Sequence, residues 1–453
     1  MKNTKYIIAA FLLFTFLGCD NVLDVEPQQS ISADAALSSS ENVKKTLVGA
    51  YDNMGDVDVY GGWMYVLPDL MAAGREAQFT GTQPPPGEVY QKDITVTNAF
   101  IRDMWLDNYA TINVANNVLS AVGVVEQGDQ DRVEGEAKFI RGSLYFQLVR
   151  LFAKDFNDGD PTQNLGVPLS LEATETIDET ANIPRSSVQE VYDQVLSDLQ
   201  TAKDLLGQES PSYIYADSFV ASAFLARVYL HMGEYELARD EANRVITEGP
   251  YSLVSEYSSA FNNSNNNTSE DIFATQVSTQ DGENALHGSY ASLDEGGSNA
   301  FSTVITQTHL DLYEPQDDRL ALFYEDNNGN WHSGKWKNQY GNVNVMRLAE
   351  IYLIRAEANH RLDESVGATP TEDINRLRDR AGLDDLSSPV TLDEILQERH
   401  LELAFEGHFL FDLKRTQGSV GGVAWDSPRL VFPLPQREID ANDELVQNEG
   451  YGS

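Results

Sequence analysis

Three stretches of the chain place polar side chains at spacings close to those of catalytic or metal-binding motifs. The first, Gly329 to Lys335 ("GNWHSGK"), has the G-x-x-x-x-G-K spacing of a phosphate-binding loop. The next residue is Trp336, where such a loop needs a serine or threonine to hold magnesium. No apolar helix is apparent after it, so we predict no nucleotide site here.

The second stretch, residues 398–408 ("ERHLELAFEGH"), contains two histidines and three glutamates. It lacks the H-E-x-x-H spacing that brings two imidazoles to one metal ion. Instead, Glu398, Glu402 and Glu406 recur every four residues, as on one face of a helix. This pattern predicts a structural role.

The third stretch, residues 155–160 ("DFNDGD"), is rich in oxygen ligands, but Gly159 occupies the place of the third ligand of an EF-hand loop. A structural calcium ion is the hypothesis that remains there, and we expect no other cofactor. The chain has no G-x-S-x-G motif for a serine nucleophile. No acid pair stands out among so many acidic residues, so the sequence predicts a protein that is not an enzyme.

Aromatic residues in two irregular regions favour a sugar-binding site instead. Sugar C–H groups pack against the negative face of an aromatic ring, and neighbouring polar side chains bond the hydroxyl groups. For each ring the alternative is core packing, which we expect for Trp105 and Tyr109 at helical spacing. Trp331 is the strongest candidate because Asn, Gly and His surround it. The candidate ligand-binding residues are Trp63, Tyr65, Asp69, Arg75 and Tyr90 in one cluster, and Tyr290, Trp331 and Trp336 in the other.

These candidates need a scaffold, and apolar periodicity predicts that it is mainly α-helical. We expect helices mainly within 33–54, 99–250 and 345–382, with a C-terminal helix and tail over 391–453. Residues 55–98 and 251–344 are rich in Gly, Pro, Asn and aromatic residues, which predicts loops and short strands.

Residues 222–246 carry the clearest architectural signal. Small and aromatic residues fall at the intervals of a tetratricopeptide repeat, and Gly233 stands where the two helices of a pair must turn. Residues 346–362 resemble the first helix of another pair. Serine or threonine three residues before glutamate predicts helix starts at Ser187, Thr369 and Thr391.

The amino terminus resembles a lipoprotein signal peptide over residues 1–18. Two lysines precede an apolar run of the length of a secretory signal, and Gly18 precedes Cys19, the single cysteine of the chain. Phe16 departs from the usual aliphatic residue of this motif. We predict that cleavage exposes Cys19 and that acyl chains on it anchor residues 19–453, as one domain, to a membrane.

The net charge of −40 disfavours nucleic acid as a partner. It also favours a neutral over an anionic glycan as the ligand.

Motifs along the whole chain resemble the SusD/RagB family of Bacteroidetes surface lipoproteins. Phe409 departs from this pattern, since relatives usually carry arginine there. The matching stretches are "CDNVLDVEP" (19–27), "YATINVANNVL" (109–119), "EAKFIRGSLYFQLVRLFA" (136–153), "LGVPL" (165–169), "VMRLAEIYLIRAEA" (345–358), "INRLRDRAGL" (374–383), "ILQERHLELAFEGHFLFDLKRT" (395–416) and "VFPLPQREIDANDELVQNEGY" (431–451).

The resemblance implies a SusD-like fold with about four tetratricopeptide pairs and a loop-rich ligand part. It also implies a non-enzymatic, lipid-anchored protein on the outer face of the outer membrane, which delivers oligo- or polysaccharide to a SusC-type TonB-dependent transporter. Two alternatives stay open: a peptide-binding lid of the RagB type and a lipid-anchored hydrolase.

Overall fold

The computed structural model describes residues 36–174, 182–210, 213–264 and 266–452. The signal-peptide and Cys19 predictions lie outside these residues. In the part of the chain described, no helix combines the length and the hydropathy needed to span a bilayer.

The described residues form fifteen α-helices and six short strands. The helices are α1 Ser40–Met54, α2 Trp63–Ala72, α3 Pro84–Gln91, α4 Ala99–Ser120, α5 Gln130–Phe152, α6 Val188–Leu205, α7 Ser218–Met232, α8 Tyr235–Glu248, α9 Ala285–Tyr290, α10 Gln307–Leu310, α11 Leu348–Leu362, α12 Pro370–Arg380, α13 Leu392–Glu402, α14 Phe409–Arg415 and α15 Gln436–Ala441. The strands are β1 Ala77–Phe79, β2 Asp271–Thr275, β3 Thr303–Ile305, β4 Phe323–Glu325, β5 Trp331–Ser333 and β6 Val343–Arg347.

Eight helices form the scaffold, and each packs on the next in the order α1, α4, α5, α6, α7, α8, α11 and α12. This gives the predicted four pairs. Gly233 adopts the left-handed conformation between α7 and α8, which a glycine tolerates without strain. The predicted capping boxes begin α6, α12 and α13, where each cap hydroxyl accepts a hydrogen bond from a backbone N–H in the first helical turn.

The prediction of loops and short strands for residues 55–98 is wrong in part, because this region contains α2 and α3. Every residue of α2 is buried, so its sequence shows no polar face from which a helix can be recognised. In α3, the prolines that we took as a loop signal occupy the first turn, where a proline costs no backbone hydrogen bond. Residues 251–344 hold four of the six strands, in agreement with the predicted short strands, but also the short helices α9 and α10.

A buried group of charges joins the scaffold to the loop-rich part. The guanidinium of Arg347, at the end of β6, lies 2.6 Å from Glu270, 3.2 Å from Glu402 and 2.8 Å from Glu406. The Lys335 ammonium lies 2.7 Å from Glu406 and donates to two backbone carbonyls. The lysine of the phosphate-loop-like stretch is therefore part of the core.

The three glutamates of residues 398–408 all face this charged core. Glu398 lies 2.5 Å from Arg319, and Glu402 also pairs with Arg380. All three are buried, with side-chain exposures of 4% or less. Their structural role is the one that their spacing predicts.

We expect Arg347→Met to lower the free energy of unfolding by about 3–5 kcal/mol, because it removes a buried cation that three buried carboxylates share. Urea unfolding followed by circular dichroism measures the change. Arg437→Met removes a largely exposed ion pair and should leave the stability nearly unchanged. Equal effects of the two substitutions would contradict a structural role for the network.

Candidate functional site

A small four-stranded antiparallel sheet carries the candidate site, in the order β1, β3, β5 and β4. β1 precedes α3, whereas the other three strands come from the second irregular region. Ala77 pairs with Ile305, and Ile305 pairs in turn with Trp331. The sheet thus joins the two regions in which the sequence places its sugar-binding candidates.

Trp331 lies in the middle of this sheet and is half-buried. Its other neighbour across the sheet is Glu325, which is exposed. The β4–β5 turn is held by Asp326, whose carboxylate accepts hydrogen bonds from the backbone N–H groups of Asn328 and Asn330, both at 2.8 Å. This turn fixes the position of a ring that is only partly covered by the core.

Arg75 is exposed and lies just before β1. Its carbonyl accepts a hydrogen bond from the Thr306 hydroxyl, at the end of β3. One strand, β3, lies between the strand that follows Arg75 and the strand of Trp331. Since neighbouring strands lie about 4.8 Å apart, these two strands are about 10 Å apart, a span that an extended ligand can cover. An aromatic ring, a guanidinium and the Glu325 carboxylate can together stack on a sugar and bond its hydroxyl groups.

The structure corrects the prediction for four other rings, because each is part of the core. Trp63 is 5% exposed and packs on Phe100, and Tyr65 lies on the same buried helix. Trp336 is 3% exposed, and its indole N–H donates to the Phe405 carbonyl. Their faces are not available to a ligand.

Tyr290 is the fourth buried ring, with 1% of its surface exposed. Its hydroxyl donates to Asp69 at 3.1 Å, and the N–H of Gly407 donates to the same carboxylate at 3.1 Å. Asp69 is therefore an internal hydrogen-bond acceptor. Tyr90 is half-buried and packs on the core from α3.

A polar cluster that the sequence did not reveal lies next to Asp69. The carboxylate of Glu76 lies 2.7 Å from His309 Nδ1 and 2.7 Å from His400 Nε2. Although burial opposes it, hydrogen bonds from the two histidines lower the pKa of Glu76 to about 2. The three residues come from distant parts of the chain, so no local spacing could indicate the cluster.

The calcium hypothesis for residues 155–160 stays a prediction. Asp155 accepts a hydrogen bond from the N–H of Asn157, and Asp160 accepts one from the N–H of Thr162. These two carboxylates cap their own turns.

Two family models match the chain. One has the description "Starch-binding associating with outer membrane" and matches residues 21–230. The other has the description "SusD family" and matches residues 319–427.

The chain is also similar to SusD-like protein P38 of Formosa agariphila, with 26% identity over the whole of both chains. Starch-binding protein SusD of Bacteroides thetaiotaomicron is 34% identical over 122 residues, which are 24% of this chain and 21% of that protein.

Solved structures share the fold. A SusD superfamily protein from Bacteroides thetaiotaomicron superposes with a TM-score of 0.81 at 26% identity, over 90% of this chain and 99% of the other. A laminarin-binding SusD-like protein superposes with a TM-score of 0.75 at 24% identity, over 91% of this chain and 100% of the other. At this level of identity, the second comparison establishes a common fold.

Asp69 makes the free energy of unfolding depend on pH. Burial raises its pKa to about 7, although hydrogen bonds from Gly407 and Tyr290 oppose the shift. The folded protein therefore holds a proton that the unfolded chain releases near pH 4, so this group costs stability as the pH rises from about 4 to 7.

We expect Asp69→Asn, which cannot titrate, to gain about 2 kcal/mol relative to the wild type between about pH 5 and pH 8. Thermal unfolding at both pH values measures the gain. Asp52→Asn, the same change at an exposed position, serves as the control. A stability difference that does not change with pH would show that Asp69 is ionised throughout.

Proposed function

We propose that this chain, which belongs to the SusD family, captures oligosaccharides at the cell surface and delivers them to a SusC-type transporter. The description of the model that matches residues 21–230, "Starch-binding associating with outer membrane", supports the proposal. Binding takes place on the sheet formed by β1, β3, β5 and β4, and no catalytic step is involved. Arg75, Trp331 and Glu325 are the residues to which we assign ligand contact.

The partial exposure of Trp331 is the observation that carries this proposal. Sugar stacking needs a ring that keeps part of its surface exposed, and Trp331 is half-buried. Tyr90 is half-buried as well, whereas the other four predicted rings are buried. Glu325, its neighbour across the sheet, supplies a carboxylate for hydroxyl groups, and Arg75, just before β1, supplies a cation. The net charge of −40 favours a neutral glycan over an anionic one.

Burial of the other rings is the observation that favours the alternative, a peptide-binding lid. A peptide can bind through backbone hydrogen bonds and a few side-chain pockets, so it needs fewer stacking faces than a glycan chain does. A panel that contains both polysaccharides and mixed peptides distinguishes the two functions.

We expect Trp331→Ala to weaken polysaccharide binding about tenfold, because stacking and the associated apolar contact are lost. Affinity electrophoresis against starch, laminarin and other neutral polysaccharides measures the effect. Leu237→Ala removes an exposed apolar side chain from scaffold helix α8 and serves as the control.

Two results would contradict different parts of the proposal. Failure of every polysaccharide to retard the wild type would remove glycan capture, and retention by peptides would then support the alternative. Retardation that is equal in wild type and Trp331→Ala would move the site away from the sheet but leave glycan capture in place.

The lipid anchor on Cys19 is the second part of the proposal. We expect Cys19→Ala to release the protein from the outer-membrane fraction, since no acyl chain can then be attached. Cell fractionation and intact-mass measurement detect the loss, with Cys19→Ser as a matched second variant that also lacks the thiol. A wild-type protein of unmodified mass would contradict the anchor.

A further inference from the structure

We propose that Glu76, His309 and His400 form a binding site for a transition-metal dication of the Zn²⁺ type. This inference does not depend on the glycan proposal. Glu76 lies between α2 and β1, His309 lies in α10 and His400 lies in α13. The ligand atoms of the three side chains all lie within 4.8 Å of one another.

The β1–β3 pairing brings Glu76 and His309 together. The N–H of Thr306, just after β3, donates to the Glu76 carbonyl at 2.9 Å, and His309 follows three residues later. His400 approaches from the scaffold side, and its ring stacks on Phe409 with ring centres 3.8 Å apart. Backbone pairing and ring stacking thus hold the side chains in place before any ion binds.

The donor set indicates which ions fit. Two imidazoles and one carboxylate are ligands of zinc sites, whereas calcium and magnesium need mainly oxygen. At zinc–ligand distances near 2.1 Å, tetrahedral ligand atoms lie about 3.4 Å apart. The present contacts of 2.7 Å therefore need to widen by about 0.7 Å, within the range of side-chain rotation.

The contacts of His309 indicate which of its ring nitrogens can bind an ion: Nε2 faces Tyr313, and Nδ1 faces Glu76. His309 Nε2 lies 3.3 Å from the Tyr313 hydroxyl, which lies 3.2 Å from the Leu401 carbonyl. Both contacts are hydrogen bonds only if the hydroxyl donates to the carbonyl and Nε2 donates to the hydroxyl. Nδ1 is then the nitrogen left to face the carboxylate oxygen at 2.7 Å, where it can donate a proton to Glu76 or, once that proton is displaced, bind a metal ion.

A cavity beside the cluster provides room for the ion. It has a volume of about 30 Å³, and its lining includes all three ligands together with Asp69 and Phe405. This is enough for an ion with one water as a fourth ligand. The Glu76 side chain is 22% exposed, so an ion can enter from solvent.

Metal analysis of tag-free mature protein tests the site, after treatment with a chelator and equilibration with Zn²⁺. We expect one equivalent of zinc, a rise of the melting temperature with Zn²⁺ but not with Ca²⁺, and a visible absorption band on titration with Co²⁺. Glu76→Gln and His400→Gln should each weaken Zn²⁺ binding by at least about tenfold. His360→Gln removes a histidine outside the cluster and should have no effect.

Failure of the wild-type protein to bind stoichiometric Zn²⁺ or Co²⁺ would overturn the proposal. It would show that His309 and Glu76 share a proton and do not bind a metal ion. Equal loss of binding in His360→Gln and His400→Gln would also overturn it. If a cluster variant does not fold, as judged by circular dichroism in chelator, the wild-type stoichiometry and Co²⁺ spectrum still decide. Loss of glycan retardation has no bearing on either result.

Discussion

The buried charges around Arg347 are the constraint on which the rest of the structure depends. Arg347 ends β6 and directly precedes scaffold helix α11, whereas Glu270 precedes β2 and Glu402 ends α13. A buried ion that loses its partner costs several kcal/mol of stability. The ends of these strands and of this helix must therefore come together for the charged residues to be buried. The start of a scaffold helix is thereby tied to the loop-rich part of the chain.

This constraint also explains why most of the predicted rings are buried. Lys335 and Trp336 donate to carbonyl groups of residues 402–405, and Asp69 accepts from the N–H of Gly407. The segment after α13 is therefore enclosed by the loop-rich part, and the rings next to these bonds become core. Trp331 lies on the β4–β5 hairpin, beyond these contacts, and keeps part of its surface for a ligand.

The sequence predicted the scaffold helices and α13 because these helices carry local signals. Periodic apolar residues, the turn at Gly233 and the caps at Ser187, Thr369 and Thr391 are each set within a few residues. Helix α2 could not be recognised, because burial on all sides removes the polar face. For single aromatic residues, local composition did not separate a binding ring from a core ring, since both occur in irregular segments.

The Glu76 cluster shows the limit of spacing as a source of prediction, and it also links the two sites. The partners of His400 lie 324 and 91 positions away in the chain, so the spacing of residues around His400 cannot indicate them. Glu76 follows Arg75, and the backbone carbonyl of each accepts a hydrogen bond from Thr306. Thr306 therefore restrains the backbone of both Glu76 and the arginine on the candidate glycan-binding surface, which reduces the entropy that ligand binding must remove.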